Sequence, residues 1–448
     1  MKTSRRFGGI SARAVRLAVV VAGLSLAFSA RADGPAVVAP SAPVQTMSLA
    51  DAVGIARTRG YDVLLSAASV RGAEAEVRVA GQTPNPAISA GPARRVDCFS
   101  GNCPTPWGFN ASLSDQGLIE GAITRKRKLR EDVAKRALEA ARFGRANAER
   151  VVISQVKVQY VQTAAAVARV ELTREIAASL QKSVDVNRVR YPRVIDEGQL
   201  ARVEQESLRA DAEVDIALRQ LRQEQIDLAV LLGTEGPVPD LAVDRKTLDF
   251  RVPEALAVLD KAAFLRTAME NRADRKQAVA QVAQMEASVS LAERQRIPDV
   301  SLTVQYQQLG SGDNAPQPPT LSVGVGLPLP LFYQQQGEIG RAAADRQTAL
   351  VARRRLETFL VADVESAVNT FSTARRVVER YESALLERAK RARDITTVQY
   401  TAGSATLTDL LDAQRSWVAV NTGYLAELVS YWTSVFLLEQ AVGKELVR

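Results

Sequence analysis

Two long stretches of the chain have the hydrophobic pattern of α-helices. Residues 122–191 are interrupted by a single glycine, Gly144, and residues 341–402 contain neither glycine nor proline. At about 1.5 Å per residue, unbroken helices of this length would reach roughly 90–105 Å, which is too long for an ordinary globular domain. In the second stretch, apolar residues recur at three-, four- or seven-residue spacings between charged residues. They are Leu356, Leu360, Val364, Val368, Phe371, Val378, Tyr381 and Leu385. The pattern predicts long packed helices, with a filamentous coiled coil as the alternative.

Four short segments alternate apolar and polar residues with the period of a β-strand. They are 86–91, which is the weakest, 107–114, 300–307 and 321–327. An apolar face opposite small polar residues fits a strand between lipid and a wet lumen, and it fits a half-buried soluble hairpin equally well. The loops 94–106 and 310–319 join the segments in pairs. We therefore predict β-hairpins at 86–116 and 299–327.

The two halves of the chain repeat the same order of elements. The segment that begins at Pro86 recurs at Pro298, an offset of 212, and the segment that ends at Gly233 recurs at Gly443, an offset of 210. Each half is predicted to run helix, two strands, long helix, tight turn and shorter helix. The long helices are predicted to end at Tyr191 and Tyr400, and the turns that follow are marked by Gly198 and Gly403.

Residues 1–32 are typical of a secretory signal peptide. An arginine-rich start precedes the apolar run Leu17–Ala27, which is too short to span a bilayer, and Ala30 and Ala32 fit the cleavage site. We predict cleavage after Ala32, with an uncleaved anchor as the alternative. This segment carries six basic and no acidic residues, so its removal leaves 52 basic and 50 acidic residues, a net charge of +2. Such a balance gives no electrostatic reason to expect a nucleic-acid partner.

The pattern of elements divides the chain into consecutive segments. The prediction is a signal peptide (1–32), an extended lead-in (33–46), a first repeat (47–233) with its tip near 192–199, a linker (234–257), a second repeat (258–443) with its tip near 401–405, and a short tail (444–448). After the lead-in, no apolar stretch reaches the roughly 18 residues of a transmembrane helix. A membrane crossing by this chain would therefore use strands.

The composition argues against catalytic chemistry. The chain has no histidine, which excludes catalytic triads and metal sites that need an imidazole. It has two cysteines, which are too few for a four-sulfur zinc site. It also lacks a Gly-rich phosphate loop and a nucleophile elbow, so we expect no enzyme activity, no metal site and no cofactor. Cys98 and Cys103 lie five positions apart in a predicted loop of an exported protein. We expect them to form a local disulfide, with two free thiols as the alternative.

Three motifs, together with the duplicated layout, resemble the outer membrane efflux protein family, the trimeric channel-tunnels of tripartite exporters. Tyr-Thr-Ala-Gly at 400–403 leads into Leu-Thr-Asp-Leu-Leu-Asp-Ala-Gln at 407–414, and Gly-Leu-Pro-Leu-Pro-Leu-Phe occupies 326–332. The resemblance covers nearly the whole mature chain. The second half is more similar to the branch that serves heavy-metal exporters of the cobalt, zinc and cadmium or copper and silver type than to the multidrug branch.

This resemblance implies a mainly α fold with a small β part, in which a long α-helical tunnel crosses the periplasm below the outer membrane. Four strands cannot close a barrel, and an open sheet edge in hydrocarbon would leave backbone groups unsatisfied, so subunits must pool their strands. Two copies would supply eight strands and three copies twelve. The family implies three, and therefore a shared trimeric twelve-stranded transmembrane β-barrel.

The function implied by the resemblance is that of an outer membrane channel in a tripartite efflux system. It would be a passive gated conduit from periplasm to exterior, with heavy-metal cations as the implied cargo. The implied partners are two further copies of the chain in a homotrimer, a periplasmic adaptor protein, an inner-membrane pump reached through the adaptor, and outer membrane lipid. The alternative is a periplasmic coiled-coil adaptor or a structural protein of a secretion system, for which we would expect a lipoyl-like or barrel-like β domain and one helical hairpin.

The resemblance further implies a periplasmic gate at Asp409 and Asp412. Three residues apart on a helix, they share a face, and in a trimer each would form a ring of three carboxylates that attracts cations. The alternative is that Asp409 caps the last helix while Asp412 is merely solvated. In the first repeat, Glu204 matches Asp409 when counted from Gly198 but not when counted back from Gly233.

The two helix-turn-helix tips are the implied contact sites for the adaptor. Gly198 marks the first tip, and Gly403, Ser404 and Ala405 lie in the second, where small side chains would let another backbone approach. The alternative is that Gly403 supplies no more than a turn with positive φ.

Overall fold

The computed structural model describes residues 46–94, 107–115, 124–309 and 318–447. Its helices are α1 (Leu49–Arg59), α2 (Tyr61–Ala80), α3 (Lys126–Arg190), α4 (Glu197–Leu231), α5 (Lys261–Asn271), α6 (Ala273–Gln295), α7 (Gln336–Arg380), α8 (Leu386–Thr401) and α9 (Leu407–Val442). Its strands are β1 (Ala87–Arg94), β2 (Trp107–Asp115), β3 (Ser301–Leu309) and β4 (Thr320–Gly326). The predicted signal peptide, nearly all of the lead-in, Cys98 and Cys103 lie outside these ranges.

The strands form one antiparallel sheet in the order β1-β2-β3-β4. The predicted hairpins are present, and the pairing of β2 with β3 joins the hairpin of one repeat to that of the other. Asp115 at the end of β2 pairs with Leu302, and Ser301 at the start of β3 pairs with Gly326. The end of β2, the start of β3 and the end of β4 therefore lie at the same end of the sheet. The helices α3 and α7 follow the strands at this end. The prediction of a mainly α fold with a small β part is confirmed.

The two long helical stretches differ in continuity. The helix α3 has 65 residues without a break, about 98 Å of helix. In the second repeat, a π-helical segment, Tyr381–Leu385, separates α7 from α8. Leu360, Val368 and Val378 of the predicted apolar seam are buried, whereas Leu385 is exposed. The prediction was wrong for Leu385 because a π turn takes up more residues than an α turn and shifts the register of the side chains beyond it.

The repeats begin and end their helices in matching ways. Arg125 and Gln335, 210 positions apart, both have left-handed backbone conformations immediately before the long helices α3 and α7. Gly233 and Gly443, also 210 positions apart, both have positive φ after α4 and α9. A side chain at Gly233 would also collide with the carbonyl oxygen of Arg59, because an added Cβ would lie 2.2 Å from it. Glycine is therefore required at this position for both conformation and space.

The main core lies where α9 and α3 meet the segment that links the two repeats. Tyr431, Trp432 and Phe436 of α9 are fully buried there. The Tyr160 hydroxyl of α3 donates to the carbonyl of Met47 at 2.8 Å and accepts from the backbone N–H of Asp244 at 2.9 Å. Through this one side chain, the start of the first repeat and the linker are both attached to the helices.

Two ion pairs are buried beside this core. Lys157 of α3 and Glu439 of α9 are 2.7 Å apart (Nζ to Oε1), and Arg272 lies 2.6 Å from Asp274 (Nη2 to Oδ2). Burial raises the pKa of Glu439 above its usual range, although Lys157 acts in the opposite direction. Burial also acts to raise the pKa of Asp274, but the hydrogen bonds and charge of Arg272 outweigh it and leave that pKa lowered. The pair of Lys157 and Glu439 therefore helps to fix how α9 packs on α3.

Within the described ranges, no helix combines the length and the apolar composition of a membrane span.

Candidate gate at the helical tips

The tip of the second repeat is a short turn between α8 and α9. Gly403 has φ +80°, and its N–H donates to the carbonyl of Tyr400 at 3.1 Å. The N–H of Ser404 donates to the carbonyl of Gln399 at 2.9 Å. An added Cβ at Gly403 would meet open space, so glycine is favoured there by its backbone conformation alone. Gly403 and Ser404 are exposed, and Ala405 is half-buried.

Asp409 takes part in a capping box at the start of α9. Thr406 is the N-cap: its Oγ1 accepts from the Asp409 N–H at 3.2 Å, and the Asp409 Oδ2 accepts from the Thr406 N–H at 2.9 Å. The Thr406 hydroxyl also donates to Oδ2 at 2.6 Å. These hydrogen bonds, chiefly the one from the Thr406 side chain, lower the pKa of Asp409. The carboxylate is exposed, so it supports the helix start and faces solvent at the same time.

Asp412 lies one helical turn further along the same exposed face. Its side chain is 63% exposed, and its Oδ1 lies 3.6 Å from Nη1 of Arg415. Arg415 in turn donates a hydrogen bond to Glu206 of α4. In contrast to Asp409, Asp412 takes no part in the helix cap, and at 3.6 Å its ion pair with Arg415 is loose. Its main property is a negative charge in water near the tip.

The opposite face of α9 is buried. Leu407, Leu410, Leu411 and Trp417 belong to a cluster with Ile176, Leu180 and Val184 of α3. The Gln414 amide donates to the Ser179 hydroxyl at 3.3 Å on the same side. Because the apolar residues recur every three or four positions, they hold one face of α9 against α3. Asp409 and Asp412 are therefore left on the solvent side.

The tip of the first repeat is built differently from the prediction. Residues 191–196 form the turn, and the Asp196 side chain caps α4 by accepting from the N–H of Gln199 at 2.7 Å. Gly198 lies inside the first turn of α4 and is not among the residues with positive φ. The prediction that Gly198 marks the turn was therefore wrong. The side-chain cap starts the helix here, so the turn does not depend on a glycine.

The helix caps establish which residues of the two repeats correspond. Asp196 and Thr406 are both N-caps and lie 210 positions apart, so Asp409 corresponds to Gln199. Glu204 is therefore not its counterpart. The carboxylate of Glu204 instead accepts from Nε and Nη2 of Arg188 at 3.0 and 2.9 Å. The carboxylates near the tip of α9 thus have no equivalent in the first repeat at these positions.

Side chains of α3 hold the end of α8 in place. Arg190 Nη2 donates to the carbonyl of Thr401 at 3.0 Å, and the guanidinium lies 4.9 Å from the centre of the Tyr400 ring. The Tyr400 hydroxyl donates to Oδ1 of Asn187 at 2.5 Å. A cation at the carboxyl end of a helix also interacts favourably with the negative end of the helix dipole. Sequence patterns did not indicate Arg190 or Asn187, because both act on residues about 210 positions away.

In the part of the chain that the structure describes, no group of three or more Cys, Asp or Glu side chains is arranged to hold a metal ion. The candidate gate is therefore a set of separate carboxylates and hydrogen bonds.

Comparison with known proteins relates this geometry to a family. The family described as "Outer membrane efflux protein" matches residues 264–444. The pyoverdine export outer membrane protein OpmQ of Pseudomonas putida is 26% identical over 386 residues, covering 81% of this chain and 79% of OpmQ. The cobalt-zinc-cadmium resistance protein CzcC of Cupriavidus metallidurans is 25% identical over 327 residues, covering 71% of this chain and 74% of CzcC.

A solved structure gives the same result for the fold. The open state of the MtrE outer membrane channel of Neisseria gonorrhoeae superposes with a TM-score of 0.72 at 19% identity, covering 89% of this chain and 90% of MtrE. The family match in the second half, the alignment with relatives across both repeats and the shared fold agree. Residues 264–444 therefore match the outer membrane efflux protein family, and the chain is a non-enzymatic outer membrane channel of tripartite efflux systems, with a tunnel that extends into the periplasm.

Proposed function

We propose that three copies of the chain form a gated conduit whose periplasmic mouth is lined by the carboxylates of Asp409 and Asp412. The observation that carries this proposal is their position: both are exposed on one face of α9, within two turns of the tip. The capping box fixes one carboxylate and solvent surrounds the other. Because the matching positions of the first repeat are Gln199 and Arg202, the charge at the mouth would come from the second repeat.

The sheet supports the trimer. Within the described residues, β1 pairs with β2 and β4 pairs with β3, and neither has a second strand beside it. A row of unpaired backbone N–H and C=O groups cannot face hydrocarbon without a large cost. Three copies would pair each β1 with the β4 of a neighbour and close a barrel of twelve strands. The same threefold axis would arrange Asp409 and Asp412 into two rings.

Two stacked rings of carboxylates would act through charge. In a narrow aqueous mouth they concentrate cations and oppose anions, and multivalent cations bind between them and reduce the current. The hydrogen bonds from Thr406 lower the pKa of Asp409 and so favour the ionised carboxylate in each chain. Opening would require the start of α9 to move away from the axis, which involves the links made by Arg190 and Arg415.

Neutralisation of the rings tests the gate. Asp412→Asn removes one charge per chain without touching the capping box, and we expect a lower cation preference and weaker block by multivalent cations in planar-bilayer recordings. The double variant with Asp409→Asn should show a larger change. The matched control is Asp215→Asn on the exposed surface of α4, about 27 Å along the helix from its start, which should behave as wild type. Unchanged selectivity and block in the double variant would remove both residues from the gate.

The adaptor is proposed to contact the two tips. Gly198, Gly403 and Ser404 are exposed, and Ala405 beside them is half-buried. At the first tip, Val194 is also exposed, as a docking surface for apolar residues would require. An inner-membrane pump would then reach the conduit through the adaptor. The small residues of the second tip permit the close backbone approach that two helical hairpins need.

Heavy-metal cations are the first candidate cargo. The similarity to the cobalt-zinc-cadmium resistance protein CzcC and the carboxylates at the proposed mouth support this class. A siderophore is the second candidate, because two OpmQ proteins named for pyoverdine export are 26% and 29% identical to the chain.

Removal of the gene from its host distinguishes the two cargoes. A cation conduit predicts that cells without the channel accumulate cobalt, zinc or cadmium and that the wild-type gene restores export. Normal metal content together with loss of secreted siderophore would contradict the cation assignment and favour the second candidate.

A further inference from the structure

The segment between β4 and α7 exposes a continuous series of large apolar side chains. Every second residue of β4 is apolar and exposed, and the alternation continues for several residues beyond the end of the strand. The series comprises Val323, Val325, Leu327, Leu329, Leu331 and Phe332. Phe332 is 96% exposed, the highest value among the large apolar residues in the described ranges. A surface of this kind indicates a contact with lipid or with another protein.

The backbone of this segment has fewer N–H groups in need of a partner than an ordinary extended chain. β3 begins at Ser301, opposite Gly326, so residues 327–332 have no ladder partner among the described residues. Pro328 and Pro330 have no N–H, and the N–H of Leu331 donates to the carbonyl of Leu329 at 2.9 Å. Three of the six residues therefore have no backbone N–H that needs water. This lowers the cost of placing an extended chain at an apolar boundary.

The segment lies at the end of the sheet where the long helices begin. Because the tunnel extends into the periplasm, this end of the sheet faces the periplasmic side of the outer membrane. The sequence Arg-Lys-Arg-Lys occupies 125–128, where α3 begins. It lies at the same end of the sheet, because Lys126 Nζ is 2.8 Å from Oδ1 of Asp299, two residues before β3. Arg125 and Lys128 are exposed. Basic residues beside an apolar insertion favour a surface of anionic phospholipid headgroups.

We propose that residues 327–332 form an apolar collar that inserts into the periplasm-facing phospholipid leaflet of the outer membrane. The leucines continue the apolar face of β4 toward the headgroups, Phe332 lies at the boundary with water, and Arg125 and Lys128 contact anionic headgroups. The collar extends the lipid-contacting surface of each chain beyond the periplasmic ends of the strands. It rests on the outer membrane location of the chain and is independent of the gate.

Spin labels report directly whether lipid covers the collar. In a Cys98→Ser and Cys103→Ser background, Phe332→Cys is labelled and the protein is placed in nanodiscs of phosphatidylethanolamine and phosphatidylglycerol. The label at 332 should be relaxed more by oxygen, which enters lipid, than by a water-soluble nickel chelate. The matched control is Phe359→Cys on the exposed surface of α7, where the nickel chelate should dominate. A label at Leu329→Cys provides a second position and should behave like 332.

Each other outcome overturns the collar. Nickel access at 332 equal to that at 359 would place the segment in water. A label at 332 that neither reagent reaches would mean that a second copy of the chain covers it. The mass of the assembly in the same nanodiscs separates this proposal from the previous one: a trimer with a water-exposed label rejects the collar alone, whereas a monomer rejects the trimeric conduit.

The headgroup contact has its own measurement. Lys128→Gln should weaken the binding of phosphatidylglycerol, measured by native mass spectrometry, by about fivefold. The control Lys390→Gln neutralises an exposed lysine on α8, remote from the sheet in sequence, and should leave lipid binding unchanged. Equal binding by both variants would overturn the role of Lys128 in the collar.

Discussion

Replacing Lys157 by methionine should lower the free energy of unfolding by about 3–5 kcal/mol, because it leaves a buried carboxylate without its partner. The Lys157 and Glu439 side chains are 6% and 9% exposed, and the second oxygen of Glu439, Oε2, has no hydrogen-bond partner. Thermal or denaturant unfolding in detergent, followed by far-ultraviolet circular dichroism, measures the change. The double variant K157M/E439M removes both charges and should recover most of the loss.

The same variant should show an altered dependence on pH. Burial already raises the pKa of Glu439, and loss of Lys157 removes the charge that acts against this shift. A carboxyl group whose pKa is raised in the folded state binds protons more strongly there than in the unfolded chain. The stability of K157M should therefore rise as the pH falls from neutral toward the ordinary pKa of glutamate. A stability that fell or stayed constant over this interval would show that Glu439 is not the group left unpaired.

Replacing Trp432 by alanine should destabilise the chain by about 3–5 kcal/mol through a cavity in the main core. The indole lies 5.4 Å from the Tyr431 ring and 6.0 Å from the Phe436 ring, and its Nε1–H donates to the carbonyl of Leu248 at 3.2 Å. The substitution thus also removes one of the hydrogen bonds that attach α9 to the linker between the repeats. We expect Trp432→Phe to cost much less, because it fills most of the space.

The control for this prediction is Trp107→Ala, at an exposed position on β2. The same unfolding measurement should show little change in the helical transition. Equal losses for the alanine variants at 107 and 432 would contradict the assignment of the main core to the region around α9.

Periodicity was enough to predict the strands and long helices. A period of two identified all four strands because apolar and small or polar residues alternate in each. The bounds differed by a few residues at the weakest strand, β1. The long run interrupted only by Gly144 gave α3 to within a few residues of either end. These features depend on residues close in sequence, and local patterns are therefore sufficient to predict them.

Features set by tertiary contacts could not be predicted in this way. The sequence pattern continued through Leu385, and nothing in it indicated the π segment. Gly198 was assigned to a turn because it is a glycine, whereas Asp196 determines where α4 begins. The ion pair of Arg415 with Glu206 joins residues 209 positions apart and leaves no local signal.

The interpretation of the tip changed in detail for the same reason. The alternative to a gate was a cap at Asp409, and the structure assigns the cap to Thr406 with Asp409 as its reciprocal partner. A carboxylate can make these bonds and still face an aqueous mouth. Asp412 is therefore the cleaner probe of the proposed gate, and the bilayer recordings depend on it most. The disulfide between Cys98 and Cys103 remains a prediction.

The alternative of a periplasmic adaptor or a structural secretion protein is not supported. The fold and relatives over most of the chain are those of outer membrane channels. Both the barrel and the carboxylate rings depend on how many copies act together.

The mass of the detergent-extracted assembly tests this central claim most directly. Native mass spectrometry or light scattering corrected for bound detergent should give three chains per particle, because four strands per chain leave two edges that neighbouring copies must cover. A stable, folded monomer would contradict the account.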